Sequence, residues 1–178
     1  VLKVTWPQAQ RLNPALIAEV LAVYSHPFSH QIVLNKGSKD GVTNGQPIID
    51  DLGVLGQVVS VGPSSSRALL IADNTHAMSV RVERTGLSAV AEGIGQSDAL
   101  RLIHLPHSTD VEVGDRLLTS GLDGVFPEGY PVARIIKVQR DARQPFLQVL
   151  AEPYAKLDRI RYALLVWPHQ GTSAIDPQ

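Results

Sequence analysis

The chain of 178 residues contains no cysteine. That excludes disulfide frameworks, thiolate zinc sites and cysteine nucleophiles, while leaving the redox compartment open. Aromatic residues are few, with three Phe, two Trp and four Tyr. They are scattered, which argues against a stacking platform for bases or sugars. There is no excess of positive charge: 16 Lys and Arg face 17 Asp and Glu. A general grip on nucleic-acid phosphates needs such an excess. Long apolar runs are missing too. Ala15–Val23, interrupted by Glu19, and Ala163–Trp167 fall short of the ~18 to 20 residues of a membrane span. No signal-peptide pattern is present. The first residue is Val1, which reads as a processed product or an excised piece and leaves an anchor outside it open.

What the chain does have is turn chemistry and short apolar stretches. Gly and Pro number 14 and 12, and 44% of residues are hydrophobic, enough to bury a core. The apolar stretches fall at Ile17–Tyr24, His30–Asn35, Pro47–Asp50, Val54–Val61, Arg67–Ile71, Met78–Glu83, Leu87–Glu92, Ala99–Leu105, Arg116–Thr119, Val132–Val138, Pro145–Ala151 and Arg161–Trp167. Met78, Val80 and Val82 alternate with Ser79, Arg81 and Glu83, the period of a half-buried strand. Clusters such as Gly62-Pro63-Ser64-Ser65-Ser66 separate the stretches, and no long amphipathic helix appears. The pattern predicts an all-β protein of two small six-stranded barrels, one inserted in the other. On this reading residues 1–16 are an irregular linker, 17–46 plus 106–168 form the outer barrel, 47–105 form the inserted barrel, and 169–178 are a flexible tail. Two consecutive domains meeting near residue 106 are the alternative.

A weak internal repeat supports two units built alike. Asp40-Gly41-Val42-Thr43-Asn44-Gly45-Gln46-Pro47 resembles Asp123-Gly124-Val125-Phe126-Pro127-Glu128-Gly129-Tyr130-Pro131. Asp-Gly supplies a turn with positive φ at Gly, a second Gly bends the chain again, and Pro pre-sets φ where a strand begins. Gly37, Asp40, Gly41, Gly45, Pro47, Gly121, Gly124, Gly129 and Pro131 are thus read as structural turn residues.

Candidates for chemistry are weak. His104 and His107 bracket Pro106 without further ligands beside them, so an exposed loop pair is favoured over a metal site. Ser120 precedes Gly121 but lacks the preceding Gly of a nucleophile turn, so a strand-end turn is favoured over catalysis. Gly93-Ile94-Gly95 is a lone G-x-G with no helix after it. No catalytic residue, cofactor or metal is expected. Phe28, Phe126 and Tyr130 lie in predicted loops, where they either anchor a partner or plug a barrel end.

The run Pro27-Phe28-Ser29-His30-Gln31-Ile32-Val33-Leu34-Asn35-Lys36-Gly37-Ser38-Lys39-Asp40-Gly41-Val42, then Gly45-Gln46-Pro47 and Gly53-Val54-Leu55-Gly56-Gln57-Val58-Val59, resembles the extracytoplasmic domain of the rod shape-determining MreC family. Leu69–Asp73, Gly114–Leu122 and Phe126–Val132 fit the same family. The resemblance runs from about Ala18 to Trp167. It implies barrels like those of chymotrypsin-type proteases without their catalytic residues. It implies a single-pass inner-membrane protein whose membrane helix is missing here, with this domain at the periplasmic face. It further implies a structural scaffold of the rod complex that directs side-wall peptidoglycan synthesis with MreB, MreD and RodA. That scaffold would bind and activate the transpeptidase penicillin-binding protein two and self-associate as a homodimer or filament. An inactive or cryptic chymotrypsin-like hydrolase and a ligand-binding barrel for cell-wall fragments are the alternatives.

Overall fold

A computed structural model of the chain describes residues 15–25, 29–95 and 98–167. The segments 1–14, 26–28, 96–97 and 168–178, with Phe28 and nearly all of both expected terminal segments, lie outside the described residues. The elements are β1 (Ala15–Ser25), β2 (His30–Leu34), β3 (Pro47–Ile49), β4 (Val54–Val61), β5 (Ser66–Leu70), β6 (Ala77–Val82), β7 (Ser88–Gly93), β8 (Leu100–Ile103), β9 (Arg116–Thr119), β10 (Pro131–Gln139), β11 (Gln148–Pro153) and β12 (Tyr162–Val166). One turn of 3-10 helix covers Ser38–Asp40. Alternation decides which face each strand buries. In β6, Met78, Val80 and Val82 are buried while Ala77, Ser79 and Arg81 are not.

The strands close into two antiparallel barrels. Barrel one runs β1-β12-β3-β4-β5-β2, with β2 paired back onto β1. Barrel two runs β10-β11-β8-β7-β6-β9, with β9 paired back onto β10. One barrel is therefore inserted in the other, but the division falls elsewhere than the sequence reading places it. β3, β4 and β5, expected in the inserted barrel, belong with β1, β2 and β12. β9, β10 and β11, expected in the outer barrel, belong with β6, β7 and β8. The deciding pairings are long-range. Ile48 and Ile49 of β3 lie opposite Leu165 and Leu164 of β12, and Val80 of β6 lies opposite Thr119 of β9.

Close backbone approach is tightest at two glycines. A Cβ on Gly56 would sit 1.9 Å from the Leu69 carbonyl oxygen of the paired strand. A Cβ on Gly93 would sit 2.1 Å from the Asp73 carbonyl oxygen, in the connector between β5 and β6. Close backbone approach of this kind admits no side chain. Residues of both barrels share one continuous buried cluster, including Ile32, Leu34 and Leu165 from barrel one and Leu102, Leu117 and Ile135 from barrel two. Gly93→Ala is expected to lower unfolding stability by at least ~1–3 kcal/mol, the usual overpacking range. A shift of the urea midpoint measures it, and no shift would show that the connector can move aside.

Candidate interaction site

The segment between β9 and β10 is the most elaborately held loop of barrel two. Asp123 begins it as a turn acceptor. Its Oδ1 takes the N–H groups of Val125 and Phe126 at 3.1 and 3.3 Å. Its Oδ2 takes the Ser79 N–H of β6 at 3.2 Å. Thr119, fully buried, donates its hydroxyl to the Pro127 carbonyl at 2.5 Å and accepts the Tyr130 N–H at 2.9 Å. Arg81 reaches Glu128 at 2.5 Å. Gly121, Gly124 and Gly129 have φ of 75°, 71° and 96°, values that favour residues without a Cβ.

The structure places the sequence candidates on this frame unevenly. Phe126 is 3% exposed and meets the His76 ring edge-on, with centroids 6.2 Å apart. It is a core plug, which corrects its reading as a partner anchor: turning it outward would cost its packing and the ring contact. Tyr130 is half-buried against the core, and burial pushes its hydroxyl pKa up. Leu122, which sequence reasoning passed over, is 73% exposed between Gly121 and Asp123. An apolar residue framed by turn residues was the signal for it. Of the turn residues, Gly41 and Gly45 also take left-handed φ. Gly37 is extended and donates its N–H to Asp40 Oδ2 at 3.0 Å. Pro47 and Pro131 open β3 and β10.

Catalytic geometry does not assemble around Ser120. Its Oγ accepts the Leu122 N–H at 3.2 Å, and among the described residues no hydrogen bond joins it to a histidine. His107 contacts the Gln144 carbonyl at 2.6 Å, and His104 packs edge-on against Phe146. The inward-facing strand residues of both barrels, among them Ile32, Leu34, Leu102 and Leu117, are buried. One arginine of barrel two clamps a loop. Arg84 grips Asp115 at 2.8 and 3.0 Å, and this fork holds the Asp115 carboxyl below its usual range against the opposing effect of burial.

The buried histidine beside Phe126 carries the one large titration shift of the junction. His76 Nε2 bonds the Gln57 amide oxygen at 3.0 Å, and Nδ1 has no hydrogen-bond partner among the described residues. A second ring proton would thus be a buried donor without an acceptor. Burial lowers the His76 pKa to about 4, although Asp73 and Asp123 favour its charge. In the unfolded chain it titrates near 6.5. The folded state therefore refuses a proton that the unfolded state accepts. This contribution is fully present above about pH 6.5 and is lost as pH falls toward about 4. The neighbouring Asp73 behaves oppositely: burial opposes its charge, but the Thr75 hydroxyl and the N–H groups of Thr75 and His30 outweigh it, so its carboxyl titrates below 3.8 and lies outside this window.

Two closed antiparallel six-stranded barrels with loops braced by turns define a double β-barrel module. The barrel-core model of the rod shape-determining protein MreC matches residues 20–167. The chain belongs to the MreC family. It is 50% identical to the cell shape-determining protein MreC of Haemophilus influenzae over 152 residues, covering 85% of this chain and 43% of that protein. It is 46% identical to the Escherichia coli protein of that name over 165 residues, covering 92% and 45%. It thus spans less than half the length of these relatives. The crystal structure of MreC from Pseudomonas aeruginosa is 44% identical and overlays with a TM-score of 0.83 over 87% of this chain and all of that one. A complex between a penicillin-binding protein and MreC from Helicobacter pylori contains a chain of the same fold, at 19% identity and a TM-score of 0.64 over 86% of this chain and 98% of that one. The Haemophilus influenzae and Escherichia coli relatives are both named as cell shape-determining proteins.

Two outcomes follow from the geometry. Phe126→Ala should lower unfolding stability by about 3–5 kcal/mol, the range for a buried phenylalanine, read from chemical denaturation; a loss below ~1 kcal/mol would return Phe126 to the surface. Wild-type stability should fall by up to ~3 kcal/mol through His76 between pH 6.5 and 4, and His76→Gln should flatten that part of the profile, as tested by urea titrations at half-unit pH steps.

Proposed function

We propose that this chain is a periplasmic scaffold module of the bacterial cell-elongation complex. In this reading it holds the elongation transpeptidase, penicillin-binding protein two, and associates with further copies of itself. It thereby organises and activates side-wall peptidoglycan synthesis and maintains rod shape. MreB, MreD and RodA are reached through the same complex. Attachment to the inner membrane is by a helix outside this chain.

The observation that carries the proposal is the family match over residues 20–167, together with relatives named as cell shape-determining proteins. The named complex of the Helicobacter pylori relative supports a penicillin-binding protein as partner. A related structure described as the major periplasmic domain of a cell shape-determining filament supports both the compartment and self-association. Physically, a scaffold needs rigid faces rather than reactive groups. The braced loop that lifts Leu122 into solvent is such a face, because a pre-ordered loop spends little conformational entropy on binding.

The test is a titration of the 178-residue chain with the periplasmic part of penicillin-binding protein two, followed by calorimetry. Saturable binding of defined stoichiometry is expected. Leu122→Asp should weaken it at least tenfold with an unchanged Tm, since the side chain is exposed. Absence of binding at tens of micromolar would remove the transpeptidase from the proposal, and wild-type affinity in the variant would remove Leu122 from the contact.

A further inference from the structure

Barrels dispose of strand edges by closing on themselves, yet barrel one leaves one stretch of edge open. β1 is eleven residues long and changes partner partway. Ala15–Glu19 pair with β12, and Val20–Ser25 pair with β2. The exchange occurs at a bulge between Val20 and Ala22. The last link on the β12 side is the Val20 N–H to the Arg161 carbonyl, at 2.9 Å. Beyond it, the side of Leu21–Ser25 that faces away from β2 pairs with no strand among the described residues. This segment also carries Leu21, Val23 and Tyr24, exposed by 58%, 52% and 47%.

Edges that must stay single usually carry a charge or a proline. Leu21-Ala22-Val23-Tyr24-Ser25 has neither, and Val and Tyr favour extended structure. After the bulge the pairing of Ala22–Ser25 with β2 is regular.

We infer that the free edge of Leu21–Ser25 is a strand-addition site for a second copy of this chain, paired antiparallel about a two-fold axis at Val23. This rests on the self-association part of the function proposed above and gives it a surface. A second copy is the occupant that the sequence of the edge suits. Antiparallel pairing about Val23 sets Leu21 opposite Ser25, Ala22 opposite Tyr24 and Val23 opposite its own counterpart. No like charges meet, which is the usual obstacle to pairing a strand with itself. The neighbouring charges, Glu19 on β1 and Arg67, whose guanidinium lies 5.6 Å from the Tyr24 ring centroid, fall outside the five paired positions. The contact is isologous and closes after two copies. Main-chain bonds would supply affinity and the exposed side chains the register.

The test is sedimentation velocity of the 178-residue chain from micromolar to several hundred micromolar. A reversible monomer–dimer equilibrium is expected. Val23→Lys and Val23→Glu should each weaken it at least tenfold, because two like charges then face each other across the axis. Mixing the two variants should restore a dimer containing one of each. Val113→Lys, at least as exposed but remote in sequence, should dimerise like wild type, and Tm confirms that all three variants fold. A Val23→Lys protein that dimerises normally would overturn the edge while leaving self-association standing. Failure of the mixture to recover would overturn pairing about Val23. A wild-type chain that stays monomeric throughout would overturn both the edge and the self-association on which it rests.

Discussion

The arrangement of the molecule depends on a short connector held by one carboxylate. The chain passes from barrel one to barrel two through residues 71–76 and returns through 154–161. At the outward passage Asp73 is buried and accepts the N–H groups of Thr75 and His30 as well as the Thr75 hydroxyl. A buried carboxylate survives only when its charge is met by donors. Here one donor comes from the start of β2, so the charge that turns the connector also fastens it to barrel one. The His30 ring then reaches the Gly95 carbonyl, just after β7, at 2.9 Å. Gly93 provides the bare backbone against which the connector lies. Barrel-to-barrel placement is therefore set by hydrogen bonds and close backbone contact as much as by apolar burial.

The same region explains why the aromatic loop residue is inside. His76 follows three residues after Asp73, and its N–H donates to the Asp73 carbonyl at 3.0 Å. That turn sets the imidazole beside Phe126 at the end of barrel two where β6 begins and β9 ends. The turn acceptor Asp123 brings Phe126 back to it. Two local turns, about fifty residues apart in sequence, thereby create one contact.

Local chemistry was legible in the sequence, and its long-range consequences were not. Most strands were readable as short apolar stretches between turn residues, while Ile17–Tyr24, within the eleven-residue β1, shows no clear period. The Asp-Gly turns before Pro47 and Pro131 announced strand starts, and β3 and β10 begin there. Which strands share a barrel was not readable. β3 pairs with β12, more than a hundred residues later, and nothing in Pro47-Ile48-Ile49 specifies that neighbour. Phe126 was visible as an aromatic in a loop, but its burial depends on His76, which no spacing rule connects to it. Leu122 was overlooked because no periodicity marks it, while the turn glycines Gly121 and Gly124 around it leave it exposed.

Because β1 and β12 run antiparallel with Ala15 opposite Val166, the two ends of barrel one's paired boundary lie side by side. Tension applied between these two positions would peel the β1–β12 ladder open one rung at a time, a weak mode of resistance. Tension applied between Ala15 and barrel two would instead have to pass through the connectors, loading several rungs together. The barrel nearest such a pull is thus soft in one direction and stiff in another, a mechanical polarity written into the register of a single strand pair.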